Sequence, residues 1–271
     1  MANLYDEAVA KLPKKPHIAT GDEVWHNTPW LAAVMYDAPA RERKDHYTCA
    51  GALVHPEWVV SCGHGFTVEP LNPQDPNEVP LRYKSFKVRV GSRRIEEGGE
   101  LRRVVQLVRH PEARIKGKRP WRHDIILLKL DKPVDLPTIR IDDMAAVVGD
   151  QVSFLGWPDG LKGTCEVEQL ETTIIPPQCA KLGRIGVAEL CAANIEPPGG
   201  AREGYSGGAL VRKRNGELRL VALGSRGAVV STESSGMPMI ITDAVAHKDF
   251  VENVTSLSEG QEPVKVQVSA G

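Results

Sequence analysis

Short apolar runs broken by glycine and proline constrain this chain more than any other feature. Its 271 residues include 25 glycines and 20 prolines, and between them lie brief stretches rich in Val, Ile and Leu with little sustained helical periodicity. That punctuation predicts an all-β protein of short strands. Strands are expected over Thr48–Val54, Trp58–Cys62, Phe86–Val90, Leu101–Arg109, Ile125–Leu130, Gln151–Leu155, Gly208–Val211, Leu218–Gly224 and Met237–Thr242. About a dozen strands over ~230 residues suit two packed barrels better than one sandwich. One helix is expected: Asp243 can cap Ala244–Val254, where Val245, Phe250, Val251 and Val254 recur at three- and four-residue spacings. Val68–Pro80 and Glu196–Gly200 read as irregular surface loops, and the chain turns polar from Ser256.

Charge removes several classes of function. With 34 basic and 35 acidic side chains the formal charge is -1, so there is no basic excess to displace counterions from a nucleic acid. No run approaches the ~18 uncharged apolar residues of a membrane helix. The amino-terminal MANLYDEAVAKLPKKPHIATG has no apolar core flanked by basic residues, and it reads as carrying no secretion signal. Five cysteines, Cys49, Cys62, Cys165, Cys179 and Cys191, include no CxxC pair, which argues against a structural zinc site. His46, His55 and His64 lack tight ligand spacing, and no metal or other cofactor is expected.

Three segments carry groups that together do chemistry. VVSCGHGF places His64 just after a predicted strand, HDIILLKL places Asp124 just before one, and GYSGGALV places Ser206 in a glycine-rich turn. Taken singly, each is a turn residue. Taken together, they supply an alcohol nucleophile, a base to take its proton and a carboxylate to fix the tautomer of that base. The glycines let backbone amides approach a developing oxyanion.

The order His, Asp, Ser and the flanking residues resemble the trypsin/chymotrypsin-type serine proteases. TCAGALVHPEWVVSCGH resembles their CGGSLI…WVLTAAHC region, HDIILLKL their NDIALLKL, LGWP their SGWG and GYSGGALV their GDSGGPLV. LVALGSRG resembles IVSWG. HIATG with PWLAAVMY resembles the mature amino terminus and first strand, and MIITDAVAHKDFVENV the closing strand and helix. The resemblance implies two six-stranded antiparallel barrels with a C-terminal helix. Residues 1–17 form a lead segment, 18–257 the protease domain (barrels over 18–135 and 136–242, helix over 243–254) and 258–271 a polar tail. By position it makes Ser206 the nucleophile, His64 the general base and then acid, and Asp124 the group that orients His64. It gives the amides of Gly204 and Ser206 as the oxyanion hole, Ser225 as support for Asp124, and Ser225, Arg226 and Gly227 as the edge on which a substrate peptide or protein adds a strand. Gly200 would floor the specificity pocket with Ala201 beside it, favouring small or apolar side chains. Glu203 or Glu196 would instead restore a basic preference if either enters the pocket.

The departures from the family pattern carry expectations of their own. Tyr205 replaces the aspartate that pairs with a freed amino terminus, so the pocket is expected to order by another route without processing; a pocket held collapsed until a partner arrives is the alternative. Arg226 replaces a tryptophan and is expected to point to solvent, with recognition of acidic substrate side chains as the other reading. Cys179 and Cys191 match a family disulfide. Cys49 matches a half-cystine whose partner normally follows the histidine, where Gly65 stands, and Cys62 is the candidate replacement. Arg202 stands where a further family cysteine would be. The function expected is peptide-bond hydrolysis by a serine endopeptidase, against an inactive or partner-activated homologue that serves as a binding module. Family habit is secretion.

Overall fold

The computed structural model describes residues 18–20, 22–36, 46–66, 86–114, 122–158, 166–177, 185–193, 204–227 and 238–256. Thirteen strands and two short helices run through them in the order β1 (Ile18–Thr20), α1 (Asp22–Asn27), β2 (Leu31–Tyr36), β3 (His46–His55), β4 (Trp58–Ser61), β5 (Phe86–Val90), β6 (Glu100–Arg109), β7 (Ile126–Leu130), β8 (Gln151–Gly156), β9 (Glu168–Ile175), β10 (Glu189–Ala193), β11 (Ala209–Arg214), β12 (Glu217–Gly227), β13 (Met239–Asp243) and α2 (Lys248–Thr255). Every ladder between strands is antiparallel.

The strands close into two barrels. The first has the order β2-β3-β4-β7-β6-β5. In the second, β9-β10-β13-β12-β11-β8 closes through the β8–β9 pairing, and β1 adds to β9 outside the ring. This is the two-barrel all-β architecture with a C-terminal helix that the sequence predicts. Strand patterning follows from burial. In β5, Phe86, Val88 and Val90 are buried and Lys87 and Arg89 lie between them, the period of two of a half-buried strand. In β7, Ile126, Leu127, Leu128 and Leu130 are all buried, so the strand reads as a continuous apolar run.

The predicted strands all form, with ends displaced by a few residues. The sequence reading left out β1, β9, β10 and α1. The strand β9 (EQLETTII) begins with polar side chains that point inward, Glu168 and Thr172 among them. The helix is capped as predicted: Asp243 Oδ1 accepts from the amides of Val245 and Ala246 at 2.9 and 3.1 Å. It differs in opening with a 3-10 turn, Val245–His247, before α2, which buries Val251 and Val254.

The segment between the barrels is tied down by a charged knot. Asp142, 1 % exposed, accepts from Arg212 Nε at 2.7 Å and Arg214 Nη1 at 2.9 Å. Burial works against its charge, but these two guanidiniums win and hold the carboxyl down to about 2. The amide of Asp142 also donates to Leu220 of β12. The amide of Ile139 donates to Leu53 O in β3, so this segment is bonded to both barrels.

Candidate active site

Each of the three reacting groups predicted from sequence sits at the end of a strand. His64 opens a 3-10 turn three residues beyond β4. Asp124 lies two residues before β7, and Ser206 three residues before β11. The structure brings all three together. His64 Nδ1 lies 2.7 Å from Asp124 Oδ2, and His64 Nε2 lies 3.0 Å from Ser206 Oγ. The amide of His64 donates to Asp124 Oδ1 at 2.8 Å, which fixes the residue and not only its ring. Ser225 Oγ donates to Asp124 Oδ2 at 2.6 Å, as the sequence reading placed it.

These contacts settle the protonation pattern. Asp124 is fully buried, which alone would raise its pKa. The His64 charge and the bonds from His64 and Ser225 outweigh burial, so the carboxyl stays below its usual range and ionised. An ionised carboxylate only accepts, so neutral His64 carries its proton on Nδ1 and turns the Nε2 lone pair toward Ser206. Burial also opposes a charge on His64. The neighbouring Cys62 and the Asp124 carboxylate together more than offset it, and the imidazole is held well above the usual histidine range.

The turn around Ser206 is pinned from both barrels. Ser206 O accepts from the amide of Ala50 in β3, and Gly207 N donates to Gly224 O in β12, both at 2.8 Å. Gly207 has φ +70°, and a Cβ there would lie 2.2 Å from Ala50 O. Only glycine permits this approach. Gly204 has φ +99° and its carbonyl accepts from Tyr47 Oη at 2.6 Å. Among the described residues, neither the Gly204 nor the Ser206 amide donates to a protein acceptor. Tyr205 is buried against Phe154, and its hydroxyl donates to Glu168 Oε1 at 2.5 Å.

On the cleft side, β12 pairs with β13 as far as Gly227, but its pairing with β11 stops at Leu223. Ser225, Arg226 and Gly227 therefore present an edge with no strand beside it among the described residues.

Two expectations are corrected. Arg226 does not point to solvent: its side chain is 5 % exposed, and Nη2 lies 2.8 Å from Glu189 Oε2 while Nη1 meets Glu189 Oε1. Fork matches fork, a geometry that stabilises guanidinium and carboxylate together when both are removed from water. Nor do Cys49 and Cys62 form a disulfide, since both thiols are free and buried. With Gly51 opposite Ser61 in the β3–β4 ladder, Cys62 falls opposite Ala50, one residue out of step with Cys49. Cys49 Sγ instead meets Ser61 Oγ at 3.3 Å, and Cys62 Sγ meets His64 Nε2 at 3.8 Å. Burial pushes the Cys62 thiol well up, and it stays neutral. The contact of Cys62 with His64 was missed from sequence, although two residues of separation at a strand end is a usable signal.

Cys191 is disulfide-bonded. The expected partner Cys179, like Cys165, lies outside the described residues, as do Gly200, Ala201, Arg202, Glu203, Glu196 and the Val68–Pro80 loop.

A family model described as Trypsin matches residues 18–251. Phenoloxidase-activating factor 1 of Holotrichia diomphalia is 26 % identical over 262 residues, covering 87 % of this chain and 69 % of its own. Trypsin-2 of Salmo salar is 28 % identical over 184 residues, covering 64 % of this chain and 72 % of its own. Kallikrein-4 of Homo sapiens is 25 % identical over 253 residues, covering 86 % and 85 % respectively.

Proposed function

The chain belongs to the trypsin family, and from that premise we propose that it is a serine endopeptidase acting through Ser206, His64 and Asp124. The observation that carries this reading is the unbroken hydrogen-bond path from Ser225 through Asp124 and His64 to Ser206 Oγ. Ser206 attacks the scissile carbonyl as His64 Nε2 takes its proton, and Asp124 stabilises the imidazolium that forms. The amides of Gly204 and Ser206, which have no acceptor among the described residues, receive the oxyanion. His64 then gives its proton to the leaving amine, and water repeats the cycle on the acyl-enzyme. Substrate backbone adds to the Ser225–Gly227 edge as an extra strand.

The Tyr205–Glu168 hydrogen bond supports the view that the turn before Ser206 is ordered without a freed amino terminus. Removing residues 1–17 to expose Ile18 should leave activity within about tenfold of the full chain, since the partner such an ion pair needs is a neutral phenol. A preference for small or apolar side chains is proposed from Gly200 and Ala201.

The second reading is an inactive or partner-activated homologue. The buried Arg226–Glu189 pair favours it, because it sets a locked polar group beside the strand edge where the family has an apolar wall. A fluorophosphonate probe separates the two. Labelling of the chain, lost in Ser206→Ala, is the expected result; no labelling of the folded chain between pH 6 and 10 overturns the enzyme reading.

A further inference from the structure

We propose that His110, His123 and His247 form a binding site for a divalent transition-metal ion of the zinc class, separate from the Ser206 site and one peptide bond away from Asp124. The three come from distant parts of the chain. His110 follows β6, His123 directly precedes Asp124, and His247 closes the 3-10 turn before α2. One nitrogen from each lies within 4.8 Å of the others. His123 Nδ1 and His247 Nε2 are 3.0 Å apart. A tetrahedral ion with bonds of about 2.1 Å sets its nitrogens ~3.4 Å apart, so small side-chain adjustments close the site.

The tautomer of His247 is already set for ligation. His247 Nδ1 lies 2.6 Å from the carbonyl of Asp243, which only accepts. That nitrogen therefore carries the proton, and Nε2 offers its lone pair toward His123. The Nδ1 proton of His123 bridges the pair, and the ion takes the place of that proton. His123 Nε2 then holds its own proton toward Glu112 Oε2, 3.6 Å away. A carbonyl behind one ligand and a carboxylate behind another are the outer partners that metal-bound imidazoles use. The ring of His110 stacks on His123 at 4.1 Å and meets His247 edge-on. His110 Nδ1 accepts from the Glu112 amide at 3.3 Å, long for a hydrogen bond and weak enough to yield to ligation.

Chemistry selects the class of ion. Three imidazoles suit zinc, copper, nickel or cobalt, while calcium and magnesium require oxygen donors. Burial lowers all three, His110 to about 4, and repulsion between imidazoles adds to it at His110 and His123, so all three are neutral at pH 7. Glu112 and Glu189 act on His123 with negative charge, and Arg122 with positive charge, so the acids outnumber the base. An ion here ties the segment carrying Asp124 to the C-terminal helix.

The test uses the full chain stripped with a chelator and does not depend on peptidase activity. Equilibrium dialysis against Zn²⁺ should find one ion per chain, and Tm should rise with Zn²⁺ but not with Ca²⁺. Co²⁺ should give the visible bands of a tetrahedral centre without a thiolate charge-transfer band. His123→Asn should weaken uptake at least about tenfold, the loss that even an outer partner brings; asparagine also tolerates the φ of +52° at this position. His110→Gln is the second variant, should the first not fold. Cys62→Ser should leave uptake unchanged. Absence of Zn²⁺ binding, uptake retained in both histidine variants, or a thiolate band that disappears in Cys62→Ser each overturns the proposal; the last would place the ion at Cys62 and His64.

Discussion

Two groups of histidines meet across a single peptide bond, that between His123 and Asp124. On one side His64 faces a buried carboxylate at 2.7 Å and is held well above the usual histidine range. On the other, His110, His123 and His247 are packed against one another and are all lowered, His110 to about 4. Burial opposes protonation in both places. The difference is the neighbour: the thiol and carboxylate in contact with His64 outweigh desolvation, whereas imidazoles in contact add repulsion to it at His110 and His123. One residue type is thus favoured in its charged form beside Ser206 and held uncharged just behind it.

Removing the carboxylate should break the comparison most severely. Asp124→Asn turns the acceptor of His64 Nδ1–H into a group that no longer holds the tautomer, and kcat/KM on a peptide substrate should fall by about 10⁴. The alkaline position of the activity limb should fall with it, toward the ordinary histidine range. A loss below tenfold would mean that Asp124 does not set the state of His64.

The next effect concerns the two thiols on the His64 side, of which Cys62 touches the imidazole. A Cβ placed on Gly65 would lie 3.1 Å from Cys49 Sγ, a distance compatible with a disulfide. Gly65→Cys should therefore bridge to Cys49, closing a loop of about 15 residues and adding up to about 3 kcal/mol of stability. Mass spectrometry and Tm with and without reductant read both parts. A free thiol at position 65 under oxidising conditions would show that the turn is not where the structure places it.

Opposite shifts also mean opposite linkage to folding. Where a histidine pKa is lowered, the unfolded chain binds more protons than the folded one, so stability rises with pH across that interval. For the three packed histidines, it should therefore be lost as pH falls from about 6.5 toward 4 in chelator-treated protein. For His64 the sign reverses. Its contribution is fully present below pH 6.5 and fades as pH rises through its raised value. Asp142, held to about 2, loses its contribution only below about pH 4 and so does not blur the first interval. Thermal melts of His110→Gln, a substitution at a half-buried position, should show a weaker acid dependence than the wild type. An unchanged profile would break the assignment.

How much of this was legible beforehand differs between the two groups. His64, Asp124 and Ser206 are each embedded in a local motif, with a strand end and glycines beside it, so their roles can be carried from sequence position alone. The architecture was legible for the same reason: β5 announces itself by alternation and β7 by its apolar run, each within a few residues. The histidine trio has no such local signature, because His123 and His247 are separated by 124 positions and meet only once α2 is docked. Arg226 was misjudged for a related reason. Its partner Glu189 sits on β10, and β13 lies between the two, pairing Glu189 with Thr242 and Arg226 with Ile240. A contact across an intervening strand leaves no trace in the spacing of either segment. Cys62 failed at a finer scale, since a one-residue stagger in the β3–β4 register leaves it beside Cys49 unbridged and in contact with His64.

The smallest predicted effect is the sharpest on the cause of the raised His64 value. Cys62 Sγ and Asp124 Oδ2 both touch the imidazole, at 3.8 and 2.7 Å, on opposite nitrogens. Charge on either would raise it. Burial keeps the Cys62 thiol neutral, so it can contribute only a weak contact, and the carboxylate must supply the field. Cys62→Ala should then move the activity limb by less than roughly 0.3 pH unit, well under the unit that corresponds to about 1.4 kcal/mol. A downward move of a full unit would mean instead that the thiol is ionised against an imidazolium, and the contrast between the two histidine groups would rest on sulfur as much as on Asp124.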